Sequence, residues 1–126
     1  MSGKRKAKPL PELVGIGIDL LSLSRARSLL KRHGPSFFYR ILADCEKQKK
    51  QGCSAVQLAR YFTAKEAFFK SSGLAWADLQ GFSGMWIDQM HGRKFKMGCF
   101  NSRIQGHGEF FKKGDLWGAK VQTWKH

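Results

Sequence analysis

The sequence predicts an α+β fold, in which a short antiparallel sheet packs on one long helix and several shorter helices. Three observations predict it: a strand pattern from Leu13 to Ile18, a helical pattern from Ser54 to Ser72, and a Gly-, Phe- and Trp-rich segment over residues 84–124. The last composition is typical of short strands and turns. At 126 residues the chain is long enough for one domain with a hydrophobic core.

The first twelve residues are predicted to form a basic flexible arm, and residues 13–126 a single domain. The segment from Ser2 to Lys8 is basic and contains no acidic residue, and Pro9 and Pro11 follow it. Like-charged segments of this kind are typical of disordered arms. The composition also fits the remainder of an organelle-targeting segment, so both the cytoplasm and the mitochondrion are predicted locations.

The first strand is predicted to be buried and to carry a carboxylate at its end. Because side chains alternate along a strand, Val14, Ile16 and Ile18 share one face, whereas Gly15, Gly17 and Asp19 share the other. Glycines on a strand face allow another element to approach the backbone closely.

Three short elements are expected after this strand. A helix from Ser24 to His33, capped by Ser22 or Ser24, ends at Gly34 and has an apolar stripe of Leu23, Ala26 and Leu30. Pro35 begins the next element, and Asp44 caps a short charged helix that ends near Gly52. The predicted core residues between them are Phe37, Phe38, Ile41 and Leu42.

The long helix is predicted to begin after Ser54 and to stop at Gly73. Glu66 and Lys70 are an i, i+4 pair on one face of it. If that helix packs on the glycine side of the first strand, Asp19 and Glu66 meet. Two carboxylates suit a hard divalent cation and a nearby lysine suits phosphate, so the arrangement indicates phosphoryl-type chemistry. An ordinary strand with a surface Glu–Lys pair is the alternative.

The carboxy-terminal segment is predicted to supply the remaining strands. Met85 to Asp88 and Lys94 to Met97 flank a turn at His91-Gly92, and Leu116 to Trp124 follows a turn at residues 113–115.

The formal net charge of +14 indicates an anionic partner. Composition alone favours nucleic acid, which basic surfaces bind through phosphates. Phe95, between Lys94 and Lys96, fits an aromatic that stacks on bases, although strand alternation explains it equally well.

Cysteines and apolar segments indicate an intracellular, reducing location without a membrane span. Cys45, Cys53 and Cys99 are scattered and form no Cys-x-x-Cys motif, which fits free thiols and no zinc site. There is no apolar run of about 18 residues.

Three motifs in this order resemble the 4′-phosphopantetheinyl transferases of the holo-acyl-carrier-protein synthase type. They are Gly15-Ile16-Gly17-Ile18-Asp19, Arg40-Ile41-Leu42, and Lys65-Glu66-Ala67-Phe68-Phe69-Lys70. The resemblance covers residues 13–79. It implies transfer of 4′-phosphopantetheine from coenzyme A to a serine of an acidic acyl carrier protein, as in fatty acid biosynthesis. It also implies a homotrimer that binds the coenzyme between subunits.

The resemblance assigns roles to six residues. Asp19 and Glu66 are expected to hold Mg²⁺, and Glu66, directly or through water, to help deprotonate the carrier serine. Lys70 is expected to neutralise phosphate charge and protonate the leaving group, and Lys65 and Gly73 to join it in binding the coenzyme. Arg25 is expected to face acidic residues of the carrier, the alternative being a solvated helix residue.

The sequence departs from the family in two places. The arginine that precedes the Lys-Glu-Ala motif, Arg60, is displaced by one position, and Tyr61 stands where the family often has arginine. The late Ser-x-Ser-His strand is not visible; His107 is a candidate substitute, with a loop histidine as the alternative. The second hypothesis is therefore an inactive subunit with the same fold that binds RNA or a ribonucleoprotein such as an organellar ribosome.

Overall fold

The computed structural model describes residues 9–49 and 52–126, so the first eight residues of the predicted arm, and Lys50 and Gln51 of the predicted charged helix, lie outside it. The strands are β1 (Glu12–Ser22), β2 (Met85–His91), β3 (Lys94–Cys99), β4 (Ile104–Lys113) and β5 (Leu116–Lys125). The helices are α1 (Leu23–His33), α2 (Pro35–Ile41), α3 (Asp44–Lys47), α4 (Ala55–Ser72) and α5 (Trp76–Leu79).

The five strands form one antiparallel sheet in the order β1-β5-β4-β3-β2, with β1 at one edge. One face of the sheet carries α4, which contacts β1, β5 and β4. The predicted α+β fold, with a sheet on one long helix, is confirmed.

The glycine face of β1 lies directly against α4. A Cβ atom added to Gly15 would lie 2.6 Å from the carbonyl oxygen of Ser71, and one added to Gly17 would lie closer still to the carbonyl oxygen of Ala67. Only glycine permits this approach of strand and helix backbones. The condition on which Asp19 and Glu66 were expected to meet, that α4 packs on the glycine side of the strand, is therefore met.

The opposite face of β1 is exposed, so the prediction of a buried strand is wrong for the single chain. Val14, Ile16 and Ile18 are 40%, 56% and 50% exposed. The physical reason is that α4 covers the glycine face, and the apolar side chains consequently point away from the core.

The limits of α4 agree with the capping signals in the sequence. The Ser54 side chain accepts a hydrogen bond of 3.1 Å from the Gln57 N–H group, and Gly73 ends the helix with a φ of 69°. That left-handed conformation favours glycine. The helix places its buried alanines, Ala59, Ala64 and Ala67, where the sheet and neighbouring helices approach it.

The core confirms most of the predicted interior residues. Phe38, Ile41 and Leu42 are buried together with Leu23 and Ala26, and Leu30 and Phe37 pack partly buried against them. Phe95 is also buried, and its ring stacks on that of Phe110 at 4.3 Å between centroids. Strand alternation therefore explains Phe95, and the suggestion that its ring stacks on bases is wrong.

Two elements were not predicted from the sequence, β4 and the short α5. β4 pairs with β5 along its whole length, with Ile104 opposite Lys125 at one end and Lys113 opposite Leu116 at the other. The predicted turn between these two strands has Gly114 at a φ of 58°. Within residues 9–49 and 52–126, no helix combines the length and apolarity needed to cross a membrane.

Candidate active site

Three predicted residues meet where Asp19, which lies three residues before the end of β1 and not at the end as predicted, stands beside the last turns of α4. The Lys70 Nζ atom donates hydrogen bonds to Asp19 Oδ1 at 2.9 Å and to the Ile18 carbonyl oxygen at 3.1 Å. The Asp19 side chain is 15% exposed and that of Lys70 is 48% exposed. The expectation that the strand and helix motifs converge is confirmed.

Glu66 completes the cluster as a second carboxylate. Burial raises the pKa of Glu66, the nearby Asp19 carboxylate raises it further, and Lys70 opposes both effects. Asp19 Oδ2 is buried and has no hydrogen-bond partner. A buried carboxylate oxygen beside a second carboxylate is unfavourable unless a cation approaches both.

These features fit a divalent cation with two protein ligands. Among the described residues no group of three or more His, Cys, Asp or Glu side chains is placed to hold a metal, and the candidate donors in this cluster are the two carboxylates Asp19 and Glu66. Mg²⁺ commonly uses one or two carboxylates, retains water and takes its remaining ligands from substrate phosphates. The residues present therefore suit Mg²⁺ better than a metal that requires a full protein cage.

Lys65 lies in the core rather than in this cluster. Its Nζ atom donates to Glu46 Oε1 at 2.5 Å, to the Ile41 carbonyl at 2.5 Å and to the Phe82 carbonyl at 3.0 Å. Burial lowers the pKa of Lys65, and Glu46 offsets part of that change. All three donors are used within the protein, so the geometry argues against the predicted coenzyme contact of Lys65.

Gly73 and Arg25, the other two predicted site residues, are both exposed. Gly73 is the exposed residue that ends α4, three positions after Lys70, and Arg25 is exposed in the first turn of α1. The Arg25 backbone N–H group donates to Ser22 Oγ at 3.1 Å. Contact of Gly73 with the coenzyme and contact of Arg25 with the carrier remain predictions.

The displaced arginine packs on the sheet. The Arg60 guanidinium lies over the Trp117 ring at 5.4 Å, and Tyr61, in the position where the family often has arginine, is buried against Phe38. The one-position shift thus exchanges an arginine for a core tyrosine.

His107 lies in β4 and not in a loop, but it faces away from the cluster. It pairs with Lys96 on one side and Gln122 on the other, and Gln122 pairs with the outward-facing Ile16. A cavity of about 500 Å³ lies on this outer face, and part of its lining is formed by Lys94, Lys96, Lys120 and His107. The sheet separates it from Asp19 of the same chain, so His107 does not join the cluster within one chain, and its role as a substitute histidine stays a prediction.

A family sequence model described as the 4′-phosphopantetheinyl transferase superfamily matches residues 15–122. The chain belongs to this superfamily. A holo-[acyl-carrier-protein] synthase of Halorhodospira halophila is 41% identical over 68 residues, which are 52% of this chain and 54% of that relative. The chain thus spans about half the length of the curated relatives it matches.

Solved structures of the superfamily share the fold over a much larger part of the chain. The holo-[acyl-carrier-protein] synthase of Neisseria meningitidis superposes with a TM-score of 0.74 and 26% identity, over 89% of this chain and 98% of that one. The Helicobacter pylori enzyme, solved in complex with coenzyme A, has a TM-score of 0.68 and 22% identity, over 86% and 98% of the two chains. The fold is therefore retained where sequence identity is low.

Proposed function

We propose that the protein transfers 4′-phosphopantetheine from coenzyme A to a serine of an acyl carrier protein. The observation that carries the proposal is the convergence of Asp19, Glu66 and Lys70 at the junction of β1 and α4 in a member of this superfamily. The named relatives, which are holo-acyl-carrier-protein synthases, support it, as does the coenzyme A bound to the Helicobacter pylori protein.

Asp19 and Glu66 hold Mg²⁺ in this proposal. When bound, the cation neutralises charge on the coenzyme pyrophosphate, which is the main demand of phosphoryl chemistry. Lys70 is half-exposed and its ammonium group donates to Asp19 Oδ1 and the Ile18 carbonyl oxygen, so the third of its N–H donors remains for the phosphates. There it stabilises the growing negative charge and protonates the leaving 3′,5′-ADP.

Glu66 is the general base of the proposed reaction. Burial and Asp19 raise the pKa of Glu66 in the absence of a cation, and a bound Mg²⁺ would oppose that shift, so the proposed role as base rests on its place beside Asp19 and Lys70. It accepts the serine proton directly or through a water. The serine oxygen then forms a bond to the β-phosphorus, and the bond from that phosphorus to 3′,5′-ADP breaks.

The basic surface of α1 is the proposed docking site for the carrier. Arg25 lies in its first turn, Arg27, Lys31 and Arg32 follow, and the helix sequence contains no acidic residue. Opposite charges accelerate encounter and fix orientation between partners. An acidic carrier would approach close to the cluster, because α1 begins four residues after Asp19.

We also propose that the protein assembles as a homotrimer through the outer face of β1. Leu13, Val14, Ile16, Ile18 and Leu20 are all 40% or more exposed and form one apolar stripe on an edge strand. Contiguous exposed apolar residues usually mark an interface. Sedimentation equilibrium measures this directly, and a monomer at micromolar concentration would refute the trimer.

A second candidate function is an inactive subunit that binds RNA or a ribonucleoprotein. The outer-face cavity favours it, because lysines from β3 and β5 line that surface and lie on the opposite side of the sheet from Asp19. Under either function the three free cysteines suit the reducing cytoplasm or mitochondrial interior that we propose as the location.

The experiment that tests the proposal incubates the protein with coenzyme A, Mg²⁺ and an apo-carrier and follows the carrier by intact mass. Transfer is expected for wild type, with Asp19→Ala and Glu66→Ala reducing it by at least about 100-fold. Asp78→Ala, at an exposed position of α5, is the matched control and should retain activity.

The same variants distinguish the second function. An RNA-binding subunit should bind RNA at physiological ionic strength, with affinity falling steeply as salt rises and unaffected by Asp19→Ala. Tight RNA binding without transfer or coenzyme A binding would replace the first proposal by the second.

A further inference from the structure

The junction between β1 and α1 contains no loop. β1 ends at Ser22 and α1 begins at Leu23, so the direction of the basic helix is set within one residue of the strand. Asp19 lies on that strand, and Arg25 lies on that helix. Whatever fixes the first turn of α1 therefore also fixes the position of the basic surface relative to the cluster.

The first turn of α1 is held by a residue from a distant part of the chain. Asp115, in the turn between β4 and β5, accepts the Leu23 N–H group with its carbonyl oxygen at 2.8 Å. Its carboxylate Oδ2 accepts the Ser24 N–H group at 3.1 Å and the Ser24 hydroxyl at 2.7 Å. The helix's own cap, Ser22 Oγ, accepts the Arg25 N–H group at 3.1 Å and lies 3.3 Å from the Ser24 hydroxyl. The Leu23 and Ser24 N–H groups are therefore paired by Asp115 instead.

Asp115 thus satisfies two of the N–H groups that a helix leaves unpaired at its start. The helix has no acidic residue in its first turn, so Asp115 also supplies the negative charge that the amino-terminal end of a helix dipole favours. The hydrogen bonds from Ser24, with smaller effects of Arg27 and Lys112, lower the pKa of Asp115. The cap consequently remains ionised throughout the physiological pH range.

We infer that Asp115 is a positioning residue for the carrier protein: by capping α1 from the β4–β5 turn, it holds Arg25 and the rest of the basic helix in the orientation that docks the carrier. This inference rests on the proposed transferase function. It assigns Asp115 no contact with coenzyme A and no part in the chemical step, because its bonds are made to α1.

The test compares Asp115→Ala and Asp115→Asn with wild type in steady-state transfer, varying carrier and coenzyme A separately. Asp44→Ala is the matched control, because Asp44 is fully exposed and its ion pair, to Lys47 at 3.8 Å, is local. Asp115→Ala should raise the KM for the carrier about fivefold and leave kcat and the KM for coenzyme A unchanged. Asp115→Asn should have a smaller effect, since its amide oxygen still accepts hydrogen bonds.

Amide hydrogen exchange gives a readout that does not depend on activity. The Ser24 N–H group should exchange faster in Asp115→Ala than in wild type, whereas the amides of α4 should not change. Faster exchange with an unchanged carrier KM would overturn the positioning role. A fall in the carrier KM in both variants would also overturn it, because the relevant property would then be repulsion of an acidic carrier by the Asp115 charge.

The wild-type measurement separates this inference from the function on which it rests. Wild-type protein that transfers nothing to any apo-carrier overturns the proposed function and the inference with it. Transfer by wild type, with identical kinetics in Asp115→Ala, overturns the inference alone.

Discussion

The helix α4 carries two lysines five positions apart, and each forms an ion pair with a carboxylate from another element. Lys65 and Glu46 are 2.5 Å apart and both are 0% exposed. Lys70 and Asp19 are 2.9 Å apart and remain partly accessible. The residue types are the same, but the two pairs differ in how completely their hydrogen-bonding groups are used.

The Lys65–Glu46 pair is saturated by the protein. Beyond the three acceptors of Lys65, Glu46 accepts the backbone N–H groups of Ala43 at 2.8 Å and Ile87 at 2.9 Å. It therefore links three segments of the core and has no capacity for a ligand. The Lys70–Asp19 pair leaves Asp19 Oδ2 without a partner, and this remaining capacity is the reason for proposing that this pair, and not the buried one, serves chemistry.

Removing the buried lysine should have the largest effect on stability. Lys65→Met leaves the Glu46 carboxylate buried without its cation, and we expect the free energy of unfolding to fall by about 3–5 kcal/mol. Urea unfolding followed by circular dichroism measures it. The double variant Lys65→Met/Glu46→Gln should be more stable than the single variant, and a loss below about 1 kcal/mol in Lys65→Met would contradict the structural role.

Removing the accessible lysine should reduce transfer activity much more than stability. Lys70→Met should lower stability by less than Lys65→Met does, by about 1 kcal/mol, because the Lys70 ammonium is half-exposed and solvent screens its attraction to Asp19. Its kcat for transfer should fall by about 100-fold, because the charge that stabilises the phosphates is lost. The same unfolding and intact-mass assays apply; full activity in Lys70→Met would remove this lysine from the mechanism.

The smallest expected effect is a gain in stability when Glu66 is neutralised. The raised pKa of Glu66 means that the folded state loses stability as pH rises above the ordinary value of 4.5 and through the folded value. Without added Mg²⁺, Glu66→Gln should therefore raise the melting temperature at pH 7 by about 1–4 °C. The difference should vanish at pH values below 4.5. A lower melting temperature for Glu66→Gln at pH 7 would contradict the cost assigned to the paired carboxylates.

Local periodicity indicated the cluster, and the order of the three motifs favoured it over an ordinary strand with a surface Glu–Lys pair. Alternation placed Asp19 on the glycine face, and the i, i+4 spacing placed Lys70 beside Glu66. The same helical geometry argues against a place for Lys65 in the cluster, because residues five apart lie about 140° from each other around a helix and Lys65 therefore points away from Lys70. Its partner, Glu46, lies 19 positions earlier in sequence, and no local pattern indicates which buried acid will fill that role.

The features missed in the sequence depend on contacts between distant segments. Alternation in β1 gives two faces but does not indicate which face a helix will cover. β4 contains Gly106 and Gly108, which weaken a strand pattern; in the structure the rings of Phe68 and Phe95 occupy the space beside them. The cap from Asp115 to Ser24 joins residues 91 positions apart, and its only local signal is a turn sequence.

Gly15 and Gly17 allow the main chains of β1 and α4 to lie in contact. The distance between Asp19 and Glu66 is therefore set by that main-chain contact. Because no side chain separates β1 from α4 there, repacking of the core elsewhere alters stability without moving the carboxylates apart. A single methyl group at Gly17, by contrast, would meet the Ala67 carbonyl oxygen and force the two main chains apart. Two residues without side chains, Gly15 and Gly17, thus determine how far apart the carboxylates of the site lie.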